Sequence, residues 1–220
     1  TGSMATLVVT AADAALFADS RYWTQAEAEL AGSGIELVKV PTGAAVHHIE
    51  WITAHLQRGH TLAVDAQVLG LAAAKQLRDA MDGAGVVLRT ELDPLAAAWP
   101  ERPPLPAAPV YEHAAPHAPL PRARKLAQLR EAMTAHGASH HFVSSLDDIA
   151  WLTNLRGADV DYNPVFLAHL LVERARARLF VGPGKIDAAL AARLAQDGIE
   201  LAPYADAAAA LAALPADAVL

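Results

Sequence analysis

The chain has 220 residues, of which 54% are hydrophobic and 19% charged. That length suits two domains of about 100 residues each, and that composition excludes wholesale disorder. The net charge of −7 speaks against a nucleic-acid partner, the lack of cysteine excludes disulfides and thiolate metal sites, and no apolar run reaches the roughly 20 residues that span a bilayer. A chain without cysteine is compatible with a reducing cytoplasm. The nearest approach to a basic cluster is Arg122, Arg124, Lys125 and Arg130. All four fall on one predicted helix and read as its solvated face.

In chain order, residues 6–10 (TLVVT) read as a strand, 11–13 as a turn and 15–18 as the returning strand. Asp19 or Ser20 then caps a helix over 22–30, because either side chain can accept from a free amide of the first turn. Gly32 and Gly34 end that helix, and residues 36–40 form a strand. A helix over 46–57 places Ile49, Ile52 and Leu56 on one face. A strand at 61–64, a helix over 69–81 with Leu71, Leu77 and Met81 apolar, and a short strand at 86–89 follow.

Residues 100–121 are rich in proline, which lacks an amide hydrogen and restricts the residue before it. The stretch therefore reads as an extended linker, and the expected division is a first domain over 1–102, a linker over 103–121 and a second domain over 122–220. In the second domain a helix over 122–135 carries Leu126, Leu129 and Met133 on its apolar face. A strand at 141–143 leads to Ser144 or Ser145, capping a helix over 146–155 with Asp147 and Asp148 at its positive end. Two paired strands at 166–172 and 177–181, a helix over 185–196, a strand at 199–202 and a helix over 207–214 complete the chain.

The halves share one element order: strand, turn, strand, helix, strand, helix. Gly34-Ile35-Glu36-Leu37 recurs as Gly198-Ile199-Glu200-Leu201, an offset of 198 − 34 = 164 residues. At that offset Leu7-Val8 meets Leu171-Val172 and Arg21 meets Lys185. The pattern reads as a duplication. The second half also has a helix, a strand and a helix before its paired strands, whereas the first opens directly on them. The expectation is an excerpt: a first domain without its opening segment of about 40 residues, and a second that stops within a strand.

The residues that could carry chemistry are few. Ten histidines include no His-Glu-x-x-His pair. His47-His48 and His140-His141 are adjacent and diverge, and Pro116 prevents a helix from aligning His113 with His117. No nucleophile elbow, P-loop or two-metal carboxylate set is present. Arg21 stands out. It follows a strand end and opens a helix, where the dipole repels a cation, so it needs a partner: Asp19 or a ligand carboxylate. In Asn154-Leu155-Arg156-Gly157, Gly157 can end the helix with positive φ, and Arg156 in the last turn suits the negative end of the dipole.

An ordered series of motifs carries a resemblance. Thr1-Gly2-Ser3, Ala18-Asp19-Ser20-Arg21-Tyr22, Leu146-Asp147-Asp148-Ile149-Ala150-Trp151-Leu152, Asn154-Leu155-Arg156-Gly157 and Tyr162-Asn163-Pro164-Val165-Phe166 together resemble the three-domain Xaa-Pro aminopeptidases. Glu50-Trp51, Trp99 with Arg102-Pro103, and Leu179-Phe180 fall in the same order, so the resemblance runs from Thr1 to about Tyr204. It implies an α/β fold: two related creatinase/prolidase N-terminal-like domains with mixed sheets flanked by helices. It further implies a cytoplasmic metallopeptidase that removes the first residue from peptides with proline second. Two divalent metal ions, usually manganese, would be held by a pita-bread catalytic domain outside this chain, with none bound by these 220 residues. It implies Arg21 as a substrate-binding residue, no catalytic residue here, and a possible homodimer. The family usually has glycine where this chain has Ser20. Another pita-bread hydrolase (a prolidase or creatinase) and a non-catalytic binding module are the alternative readings.

Overall fold

The computed structural model describes residues 5–41 and 46–220, so Thr1-Gly2-Ser3 lies outside the described residues. The chain divides into two compact units, Thr1–Arg102 and Pro103–Leu220.

Unit 1 opens on the expected hairpin, β1 (Ala5–Val9) antiparallel to β2 (Ala14–Asp19). Thr10 closes it: its amide donates to the Asp13 carbonyl at 2.8 Å and its hydroxyl accepts from the Asp13 amide at 2.9 Å. A 3₁₀ turn at Ser20–Tyr22 leads into α1 (Trp23–Leu30), and β3 (Glu36–Val40) then pairs parallel to β2. α2 (His47–His55) buries Ile49 and Ile52 against the sheet face carrying Val8 and Phe17. β4 (Thr61–Ala63), α3 (Leu71–Ala84) and β5 (Val87–Arg89) form a β-α-β crossover with β4 parallel to β5. Leu77 and Met81 of α3 enter the same core, while Leu71, expected on that face, is 92% exposed at the first turn. Gly85, at φ 69°, ends α3. A one-turn helix, α4 (Leu95–Ala98), was not anticipated.

Unit 2 begins with the proline-rich stretch. It is extended, as its prolines require, but it is not a free linker. Val110 is buried and donates its amide to the Lys185 carbonyl at 2.7 Å, and β6 (Tyr111–Glu112) pairs antiparallel with β8 (Leu155–Arg156). Residues 103–121 are thus built into the second unit. Between the partners of that pair come α5 (Arg122–Ala135), β7 (His140–Val143) and α6 (Leu146–Thr153), the last capped by Ser145. β9 (Ala168–Glu173), β10 (Ala177–Val181), α7 (Ala188–Gln196), β11 (Ile199–Pro203) and α8 (Ala207–Ala212) follow. The sheet order is β11-β10-β9-β7, with only the β10–β11 pair parallel.

One face of that sheet packs on α5, α6 and α7 through Leu126, Met133, Ile149 and Leu190; Leu171 and Phe180 meet α8 on the other. Fully burying each such side chain contributes about 1.5–3 kcal/mol. His169, on the α8 face, stacks between Phe142 and Tyr204 at 5.3 and 5.0 Å, and its Nδ1 shares a hydrogen with Ser144 Oγ at 2.9 Å. Burial holds its pKa below the usual 6.5. A histidine whose folded pKa is depressed contributes stability that is present above the unfolded pKa and lost as pH falls through the folded one. Urea midpoints should therefore fall between pH 7.5 and 5.5, and fall less for His169→Phe. An equal fall in both proteins would remove His169 as the source.

The duplication is visible as topology. In each unit an antiparallel hairpin is followed by a helix and a strand parallel to the second hairpin strand. Val9 opposite Ala14 corresponds to Val172 opposite Ala177, yet Glu36 opposite Ala15 corresponds to Glu200 opposite Arg178. Unit 2 therefore carries one more residue in the crossover. Leu7-Val8 matches Leu170-Leu171, one position from the pairing expected from sequence.

Candidate functional site

Arg21 sits where an α/β sheet presents ligands: just beyond the carboxyl end of β2, which pairs parallel with β3. Asp19, the last residue of β2, accepts the Arg21 amide at 3.0 Å and caps the 3₁₀ turn. The same carboxylate grips the guanidinium through Nε at 3.1 Å and Nη2 at 2.6 Å. The cation at a helix start is therefore neutralised locally. The Arg21 guanidinium holds the Asp19 carboxyl below its usual range, and Asp19 raises Arg21 in turn.

The guanidinium also lies 5.4 Å from the Tyr22 ring centre. Trp23 anchors the turn from beneath by donating its indole N–H to the Ala18 carbonyl at 2.9 Å. With the backbone pinned and one edge of the fork held, the Arg21 side chain remains 58% exposed. An exposed, pre-oriented guanidinium is a receptor for a carboxylate or a peptide carbonyl. Ser20 fits within this turn without a positive φ.

The repeat supplies a contrast. Lys185, matched to Arg21 in sequence, also follows the second hairpin strand, yet it is 2% exposed. Its ammonium is spent on the buried Asp159 carboxylate and on the Pro106 carbonyl at 3.1 Å. One copy of the basic position is thus sealed into packing and the other faces solvent.

The other sequence candidates prove structural. Asn154, not Gly157, ends α6 with positive φ (54°). Asparagine tolerates that region, and its side chain is used twice more: Oδ1 accepts from Lys125 at 2.6 Å and Nδ2 donates to the Leu120 carbonyl at 2.9 Å. Arg156 lies in β8, not the last helical turn, but its guanidinium returns to the Ala150 carbonyl of α6 at 2.7 Å. Gly157 is required by space: a Cβ there would stand 2.7 Å from Phe166 Cβ.

The helix face read as solvated holds for Arg124, which is exposed, and is corrected for Arg122 and Lys125. Arg122 and Lys125 are 6% and 5% exposed. Arg122 binds Glu112, Asp197 (2.6 Å) and the Thr153 carbonyl (2.9 Å), and Lys125 binds the Trp151 carbonyl and Asn154. Burial, then the nearby Arg156, lowers the Lys125 pKa. These partners lie far along the chain, so helix periodicity could not reveal them. His113 and His117 do meet, through a turn and not a helix, with rings stacked 5.5 Å apart. Among the described residues no group of three or more His, Asp or Glu side chains could hold a metal ion, and no helix is long and apolar enough to cross a membrane. The donor sets described here do not fit a two-metal centre.

Comparison with known proteins decides the family. The model of the creatinase/prolidase N-terminal domain matches residues 101–220, and a second model of the same description matches residues 1–93. The chain belongs to the creatinase/prolidase N-terminal domain family. It is 36% identical to a probable Xaa-Pro aminopeptidase P of Sordaria macrospora over 93% of its length, and 36% identical to aminopeptidase P2 of Arabidopsis thaliana over the same share. It covers 34% and 29% of those proteins. A solved structure, an X-prolyl aminopeptidase from Caenorhabditis elegans described as a cytosolic enzyme with a di-nuclear active site, superposes with a TM-score of 0.88 at 27% identity. That match covers 96% of this chain and 34% of the other. The chain thus spans about a third of the length of these relatives. The two creatinase/prolidase N-terminal-like domains, with mixed sheets flanked by helices, are those expected from the motifs.

Proposed function

We propose that these two domains form the amino-terminal, non-catalytic region of a metal-dependent Xaa-Pro aminopeptidase. They would shape access to a catalytic domain, and Arg21 would bind substrate. The observation that carries the reading is similarity along nearly the whole chain to aminopeptidases P, each about three times its length. The peptide would carry proline at its second position. The chemistry would belong to a separate domain with two divalent ions, manganese in this reading, acting in the cytoplasm and as a homodimer. Support for the metal pair and the compartment comes from the nematode relative, which is described as di-nuclear and cytosolic.

The geometry around Arg21 supports its part in this scheme. Binding a peptide carboxylate or carbonyl needs a cation that is exposed, yet fixed before the ligand arrives. Asp19 and Tyr22 supply the fixing. The test is the whole gene product assayed on a Xaa-Pro-Xaa peptide with added manganese. Hydrogen bonds to charged groups contribute about 1.5–3 kcal/mol, so Arg21→Ala should lower kcat/KM roughly 10- to 100-fold. Asp19→Asn should cost less, because it loosens the guanidinium without removing it. Neither should move the unfolding midpoint by much, since the guanidinium faces solvent and an asparagine at 19 can still accept the Arg21 amide. An unchanged kcat/KM for Arg21→Ala removes it from the site. No turnover by the wild type, beside turnover by a known aminopeptidase P, ends the proposal.

A further inference from the structure

The turn that presents Arg21 is held at its base by three side chains. Trp23, the first residue of α1, reaches back five residues and donates its indole N–H to the Ala18 carbonyl at 2.9 Å. That bond closes the turn carrying Asp19, Ser20, Arg21 and Tyr22 onto the end of β2. Lys39 of β3 stands opposite Ala18 in the parallel pair. Its ammonium lies 5.5 Å from the centre of the Trp23 ring and 2.5 Å from a carboxylate oxygen of Glu27. Trp23 and Glu27 are four residues apart and so share a face of α1. The three side chains tie α1, β2 and β3 together where the turn begins.

The repeat is an internal control for what this group does. At the offset of 164 residues, Trp23 corresponds to Asp187, Glu27 to Ala191 and Lys39 to Pro203. The sheet registers agree for the strand residue, since Val181 faces Pro203 as Ala18 faces Lys39. In unit 2 Asp187 caps α7 by accepting the Leu190 amide at 2.7 Å. The same hairpin, helix and parallel strand form there with none of the three side chains, so the topology does not need them. The ion pair adds little stability either: the Lys39 and Glu27 side chains are 48% and 54% exposed, and an exposed pair is weak in water. What separates the two copies is the basic residue, buried as Lys185 and exposed as Arg21. The three side chains accompany the exposed one.

We propose that Trp23, Lys39 and Glu27 are positioning residues that hold the Arg21 turn in the geometry its ligand requires. This rests on the reading that Arg21 binds substrate. Fixing the turn before the ligand arrives removes an ordering cost from binding. The indole N–H sets the spacing between the turn and β2. Lys39 over the ring, itself held by Glu27, keeps the indole in place. Each of the three acts through Arg21 and none on the substrate itself.

Trp23→Phe keeps the ring and removes the N–H. In the whole gene product it should lower kcat/KM about fivefold, the size of one hydrogen bond, with the same split between kcat and KM that Arg21→Ala shows. Lys39→Met should lower it about twofold, and Lys39→Arg should restore it. In an Arg21→Ala background neither Trp23→Phe nor Lys39→Met should cost anything further. Losses that persist in that background overturn the proposal, because the residues then act on substrate or fold directly. So does an unchanged kcat/KM for Trp23→Phe where Arg21→Ala is impaired. A second readout is independent of turnover. Arg21 holds the Asp19 carboxyl below its usual range, so NMR titration of Asp19 in the 220-residue chain reports how firmly the pair is held. Trp23→Phe should move that titration up towards the ordinary value with the unfolding midpoint little changed. An Asp19 titration that Trp23→Phe leaves in place overturns the proposal whether or not the enzyme turns over. A moved titration beside an unchanged kcat/KM for Arg21→Ala keeps the positioning role and removes only the substrate reading.

Discussion

Asp159→Leu should destabilise the second unit by about 3–5 kcal/mol, because it strands a buried ammonium. The Asp159 side chain is fully buried and that of Lys185 is 2% exposed. Among the described residues the lysine has only the Pro106 carbonyl as a further acceptor, at 3.1 Å. Lys185→Met should cost a similar amount by leaving the carboxylate unpaired. The pair Asp159→Leu with Lys185→Met should recover most of that loss, since two charges leave together. It should not recover all of it, because the Leu167 amide, now donating to Asp159 at 2.7 Å, loses its acceptor at about 1–3 kcal/mol. Urea unfolding of the four proteins, followed by a probe in unit 2, provides the cycle. Single-variant losses that simply add in the double variant would show that the two groups are not coupled.

Gly157→Ala should cost about 1–3 kcal/mol, the range for overpacking a filled interior. The cause is steric and not conformational, since Gly157 is not among the positive-φ glycines. The added methyl would meet Phe166 Cβ at 2.7 Å and the Val165 carbonyl at 3.2 Å, and neither is the far end of a flexible side chain. Gly182→Ala is the control: its nearest neighbour is Lys185 Cδ at 3.1 Å, an alkyl stem that can give way. Gly70→Ala meets nothing within 4 Å and should be near neutral. Equal midpoints for Gly157→Ala and Gly70→Ala would refute the steric account. Both large effects fall around one segment. There Asp159 ties the chain to Lys185 and through it to the strap at Pro106, while Gly157 lets the chain pass against Phe166. The Asn-Leu-Arg-Gly series is therefore intelligible as packing.

Much of the fold was legible from local pattern. Apolar spacing located α2 and α5, alternating apolar residues located the hairpins, and the recurring Gly-Ile-Glu-Leu located the duplication. The Asp-Ser-Arg spacing was legible too, because a cap and a two-residue ion pair are decided within one turn of backbone. Its exposure was not, since whether a guanidinium faces solvent depends on what else packs over it. The sequence equivalence of Arg21 and Lys185 hides opposite fates for that reason.

By itself the sequence determined the order of elements, the α/β class, the repeat and the motif series that marks the family. Each rests on hydrogen-bonding and apolar patterns a few residues long. Only the tertiary structure decided that the proline-rich stretch is a strap on unit 2, and that Arg122 and Lys125 are buried. It also decided that Asn154 and not Gly157 turns the chain. These outcomes depend on partners 75, 29 and 34 residues away, as in Arg122 with Asp197, Lys125 with Asn154 and Asn154 with Leu120. A charged side chain is buried only when such distant partners converge to offset its desolvation, and no local pattern encodes that convergence.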